Sequence, residues 1–166
     1  MRTMPLWITI IVAVTATALL TGAAKDFNKN PQNDGQKKET TQPADETKGG
    51  LVLNITSGVD DLHAVTMALQ LAGHALADGR TAVLFLNVRA PELARKDFSP
   101  TLAFRDNPPI KTMLADLVER GAKVLVCPHC MKVQGLTEAD LIPSAAVATR
   151  ESLFGSLGPN THVFSY

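Results

Sequence analysis

The chain has 166 residues, and its 16 Lys plus Arg balance 16 Asp plus Glu, a length that fits one domain with short appendages. After residue 50, ten basic side chains stand against eleven acidic ones, scattered along the sequence. That excludes the one-sided basic surface that nucleic acid or an anionic membrane requires, and two cysteines three positions apart exclude a disulfide framework.

Residues 1–24 have the layout of an export signal: Arg2, an apolar stretch over 6–20 diluted by threonines, then Thr21-Gly22-Ala23-Ala24 for cleavage. The alternative is an uncleaved anchor over residues 5–22, but about 15 apolar residues fall short of the roughly 20 that span hydrocarbon. The expected location is periplasmic, with no membrane attachment after cleavage. Residues 25–49 are polar, with Phe27 the only large apolar side chain. Such a stretch buries too little to offset the entropy of ordering, so it is expected to be a disordered linker.

Residues 50–166 carry the folded domain. Residues 51–55 form an apolar run closed by Thr56-Ser57-Gly58, the pattern of a buried strand entering a turn. Asp60 or Asp61 caps a helix whose inward face is Leu62, Val65, Leu69, Ala72 and Leu76, with Gly79 as its left-handed stop. His63, Met67, Gln70 and His74 fall on a flank of that helix. Residues 81–88 read as a second strand, covered on both faces. Residues 89–109 show no period, although Phe98, Leu102 and Phe104 are apolar enough to dock. Ile110, Met113, Leu114, Leu117 and Val118 mark a second helix ended by Gly121, and residues 123–126 a third strand. Thr137 to Asp140 has capping-box spacing. Residues 145–148 read as a short strand, 149–157 as a helix stopped by Gly158-Pro159, and 161–166 as a last strand containing His162, a structural residue. Alternating strands and helices predict an α/β fold, three layers α/β/α around a mainly parallel sheet of about five strands.

In such sheets reactive groups gather at the carboxyl ends of strands, and Cys127-Pro128-His129-Cys130 comes directly off the third strand. The start of a helical turn with His129 and Lys132 beside it favours a reactive thiol. Cys127 and Cys130 are therefore the candidate catalytic residues. Ser57 and Gly58, at the end of the first strand, could offer backbone N–H groups to an anion. Three chemistries fit the tetrapeptide. Cys-Pro-His-Cys occurs in periplasmic dithiol oxidases of the thioredoxin fold, but here two strand and helix units precede it and only 36 residues follow Cys130. A soft metal such as Cu(I), or Zn, could use Cys127, Cys130 and Met131 with ligands from another copy. The third chemistry is sulfur handling.

From residue 51 to 166 the chain resembles the DsrE/DsrF-like family of sulfur-relay proteins. The residues that carry the likeness are Leu51-Val52-Leu53-Asn54-Ile55, the Asp60-Asp61 helix closing at Asp78-Gly79, and Val124 to Leu136 running on to Asp140-Leu141-Ile142-Pro143. The resemblance implies a homo-oligomer, trimer or hexamer, and a persulfide-carrying cysteine at a strand end, which Cys127 matches. It implies no cofactor. A sulfur donor or acceptor protein, a small thiol or polysulfide is the expected partner, and Cys130 is the additional feature, placed to resolve a persulfide on Cys127. The expected activity is that of a sulfur carrier, a transferase or a dithiol redox protein. The other reading is non-enzymatic, a soft-metal binder or an oligomeric scaffold. Export sets the chain apart from the cytoplasmic relay proteins, and so from a role in tRNA thiolation.

Overall fold

The computed structural model describes residues 48–166, so the signal and all but the end of the linker lie outside the described residues. Strand β1 (Gly50–Ile55) is buried along almost its whole length, because two neighbours pair with it. The others are β2 (Thr81–Leu86), β3 (Lys123–Val126), β4 (Ala145–Val147) and β5 (His162–Ser165), in the order β4-β3-β2-β1-β5. Every pair is parallel, so all carboxyl ends share one edge of the sheet.

Alternation along the strands divides the core. Leu51, Leu53, Ile55, Ala82, Leu84, Leu86, Val124 and Val126 face α1 (Leu62–Ala77) and α2 (Ile110–Glu119). Val52, Val83 and Leu125 face the other way, where Leu153 of the short helix α4 (Arg150–Phe154) covers them with Phe85 and Ala148. The result is the three-layer α/β/α fold, with one helical layer far thicker than the other. Helix α1 approaches the sheet closely because its buried face includes Ala68, Ala72 and Ala75 beside Val65 and Leu69. The Asp61 carboxylate accepts the Ala64 N–H at 2.9 Å, and Gly79 closes the helix at φ 78°.

Several predicted boundaries shift for physical reasons. Strand β2 stops at Leu86 because Val88 has φ 51°, outside extended geometry. Thr149 caps α4 instead of joining it, and the helix ends at Phe154 before Gly155. Residues 89–109 are anchored at separate points, which hides any period. A 3-10 turn at Ala90–Ala94 buries Leu93, Arg95 bridges Leu141, and Phe98 enters the core. Phe104 stacks on His63 at 4.6 Å and Asn107 accepts from Gln70 at 2.8 Å, so the polar flank of α1 docks this segment.

Candidate functional site

Cys127 stands where strand becomes helix. Its N–H donates to the Leu86 carbonyl at 2.9 Å, extending the β2–β3 ladder, and its carbonyl accepts the Met131 N–H at 3.0 Å. Helix α3 (Pro128–Val133) thus has Cys127 as N-cap, and Pro128 suits the first helical position, where no N–H partner is needed. Cys130 lies one turn on, and both thiols are unbridged and half-buried.

The end of β2 holds Cys130. Its Sγ donates to Asn87 Oδ1 at 3.1 Å and accepts the Val88 N–H at 3.2 Å. Asn87 Oδ1 also accepts the Val88 N–H at 2.9 Å, while Gln134 Nε2 donates to the Val88 carbonyl at 2.8 Å. A line of amides continues across the sheet: Asn87 Nδ2 donates to Asn54 Oδ1 at 3.3 Å, and Asn54 Nδ2 to Ser165 Oγ at 3.2 Å. Burial pushes the Cys130 thiol above its ordinary pKa, the Cys127 side chain adds to that rise, and the Val88 N–H opposes it.

The other sequence candidates are distributed around this pair. His129 and Lys132 are exposed on α3. Ser57 and Gly58 are buried in the turn after β1, joined to the β2 end by the Arg89 N–H on the Thr56 carbonyl at 3.1 Å. Carboxylates of the chain already occupy donors there: Asp60 accepts the Gly58 N–H at 3.0 Å and Glu92 the Val59 N–H at 2.7 Å. Met131 is buried in the main core, so its thioether is committed to packing. Among the described residues, no group of three His, Cys, Asp or Glu side chains could hold a metal ion.

Asn54, Asn87, Val88 and Gln134 were not among the sequence candidates. An uncharged amide inside the otherwise apolar β1, and a second at the end of β2, were the available signals. Chemically, the two thiols can form a disulfide, or one can act as a nucleophile while its neighbour resolves the product.

The profile of the DsrE/DsrF-like family matches residues 51–158, and the chain belongs to that family of sulfur-relay proteins. It is similar to an uncharacterised protein of Methanocaldococcus jannaschii, MJ0989, at 32% identity over 99 residues, 60% of this chain and 83% of the relative. A second uncharacterised relative, MK0008 of Methanopyrus kandleri, is 33% identical over 86 residues, 52% of this chain and 68% of its own. The crystal structure of the ychN protein from E. coli shares the fold, with a TM-score of 0.54 at 17% identity, over 72% of this chain and 99% of that one. So does MTH1491 from Methanobacterium thermoautotrophicum, with a TM-score of 0.51 at 14% identity, over 71% of this chain and 99% of that one. Among the described residues no helix is long and apolar enough to cross a membrane.

Proposed function

We propose that this protein accepts sulfane sulfur on Cys127 as a persulfide and passes it to an acceptor thiol after export to the periplasm, with Cys130 beside it as the thiol that resolves the persulfide when no acceptor takes the sulfur. One observation carries the reading: a half-buried, unbridged thiol pair at the carboxyl edge of a parallel sheet, in a chain of a sulfur-relay family. In the first step the Cys127 thiolate attacks the outer sulfur of a persulfide or polysulfide donor. The donor's S–S bond breaks, and the shortened donor leaves with the electron pair. In the second step an acceptor thiolate attacks the outer sulfur on Cys127 and releases the Cys127 thiolate. Neither step changes the number of thiols or needs an external oxidant. The acceptor or donor is a partner protein or a small thiol.

A homo-oligomer, trimer or hexamer, belongs to the same proposal. In its support, β5 is an edge strand with Val163 and Phe164 exposed, and Phe154 and Leu157 of the α4 region are exposed as well; apolar edges of this kind are normally covered. Cyanolysis of the polysulfide-treated, desalted protein tests the function. Thiocyanate in stoichiometric yield from the wild type, and none from Cys127→Ser, is the expected result. Equal yields from the two would exclude Cys127 as the carrier.

A further inference from the structure

Resting on that reading, the contacts of Cys130 say how sulfur could remain on Cys127 beside a thiol able to expel it. Expulsion is chemically simple. Cys130 loses its proton to solvent and its thiolate attacks Cys127 Sγ. A Cys127–Cys130 bond forms, the bond to the sulfane sulfur breaks, and that sulfur leaves with the electron pair as hydrosulfide. The two thiols are oxidised to a disulfide and the sulfane sulfur is reduced to sulfide, so the step balances without another reagent. It requires Cys130 as a thiolate.

At the β2 end the Asn87 side chain works against that ionisation, while the Val88 N–H on the sulfur works the other way. Asn87 Oδ1 accepts the Cys130 S–H at 3.1 Å, a bond that exists only in the thiol form. Its amide is not free to turn its nitrogen to the sulfur, because Nδ2 donates to Asn54 Oδ1 and Asn54 in turn donates to Ser165. The amide oxygen is thereby aimed at Cys130 from three strands. Val88 holds the arrangement at a backbone cost. It is β-branched, exposed and at φ 51°, a conformation that such a residue rarely adopts. Its side chain gains little packing in return, but its N–H and C=O are fastened to Cys130 and Gln134, both from the α3 region. Cys127 is the ionisable group that acts on Cys130. His129 and Lys132 on α3 are exposed, and Arg89 beyond Val88 is turned to Asp60 at 2.8 Å.

We propose that Asn87 is a positioning residue that holds Cys130 as a thiol, so that sulfur on Cys127 waits for an external acceptor and is not expelled as sulfide. Asn87 touches neither the sulfane sulfur nor the donor. It acts through Cys130.

Two substitutions of opposite sign test this. Asn87→Ala removes the acceptor, whereas Asn87→Asp keeps the shape and adds a negative charge that disfavours the thiolate. In a Cys127→Ser background, the pH profile of Cys130 alkylation by iodoacetamide should move to lower pH with Asn87→Ala, making the reaction roughly threefold faster near pH 8. It should move to higher pH with Asn87→Asp. In the full chain with both cysteines, loaded with polysulfide and desalted, sulfide release should rise with Asn87→Ala and fall with Asn87→Asp. A common loss of folding cannot produce shifts of opposite sign. Alkylation profiles unchanged by both variants, or moved the same way, would overturn the inference. If the chain takes up no sulfur, the relay reading fails by itself, while the alkylation profiles still decide what Asn87 does to Cys130.

Discussion

The turns after β1 and β2 are neighbours on one edge of one sheet, and they use their polar groups differently. After β1, the Gly58 and Val59 amides meet carboxylates of the chain itself, Asp60 and Glu92. After β2, the Asn87 side chain and the Val88 amide meet a thiol, Cys130, that remains half-buried beside a second thiol. The donors of the first turn are taken by carboxylates, Asp60 of the turn itself and Glu92 from the 3-10 turn that follows β2. The second spends backbone strain at Val88 to hold a reactive group. Position at a strand end is therefore not enough to define a site. The partner of the polar groups decides, and of these two turns only the second meets a thiol.

The largest expected effect falls on the filled turn. A Cβ at Gly58 would overlap Glu92 Oε1 and press on the Arg89 carbonyl at 3.0 Å, so Gly58→Ala should cost about 1–3 kcal/mol. Urea unfolding would show it. If the variant kept its stability but lost sulfur uptake, the functional boundary would have to include β1. At the strained turn the opposite result is expected. Val88→Gly relieves the positive φ but adds unfolded-state freedom, so stability should stay within about 1 kcal/mol of wild type. A loss above that would mean the Val88 side chain contributes packing its exposure does not suggest.

The smallest effect is on pH dependence. Because the Cys130 thiol titrates above its ordinary value in the folded state, the folded chain holds that proton more tightly than the unfolded chain does. The resulting stabilisation is complete below the unfolded thiol pKa, about 8.5, and is lost as pH rises through the higher folded value. The stability of the reduced protein should therefore decline in this alkaline range, and less steeply in Cys130→Ser. Chemical denaturation under reducing conditions between about pH 7 and 10 would measure the difference.

The same contrast explains what the sequence could reveal. Strand and helix identities were legible because burial imposes local periods: the continuous apolar runs of β1 to β3, and Val65, Leu69 and Ala72 on α1. The Cys127–Cys130 pair was legible because it follows a strand immediately. Its partners were not, since Asn87 and Val88 lie 43 and 42 positions from Cys130 and meet it only through β2–β3 pairing. Met131 shows how a local reading and the packing draw attention to different properties of one residue. Adjacent to the cysteines it suggests a soft ligand, but one helical position past Cys130 it points into the core. Residues 89–109 resisted prediction because Leu93, Phe98 and Phe104 dock at separate places without a repeating face.

The central claim, that sulfur resides on Cys127 at the open strand end, is tested most directly by peptide mapping. Cys130→Ser protein is treated with polysulfide, alkylated, digested and read by mass spectrometry. The account predicts one additional sulfur atom on the peptide containing Cys127, and none anywhere in Cys127→Ser. An unmodified Cys127 in the Cys130→Ser protein, or sulfur retained in the absence of Cys127, would contradict it.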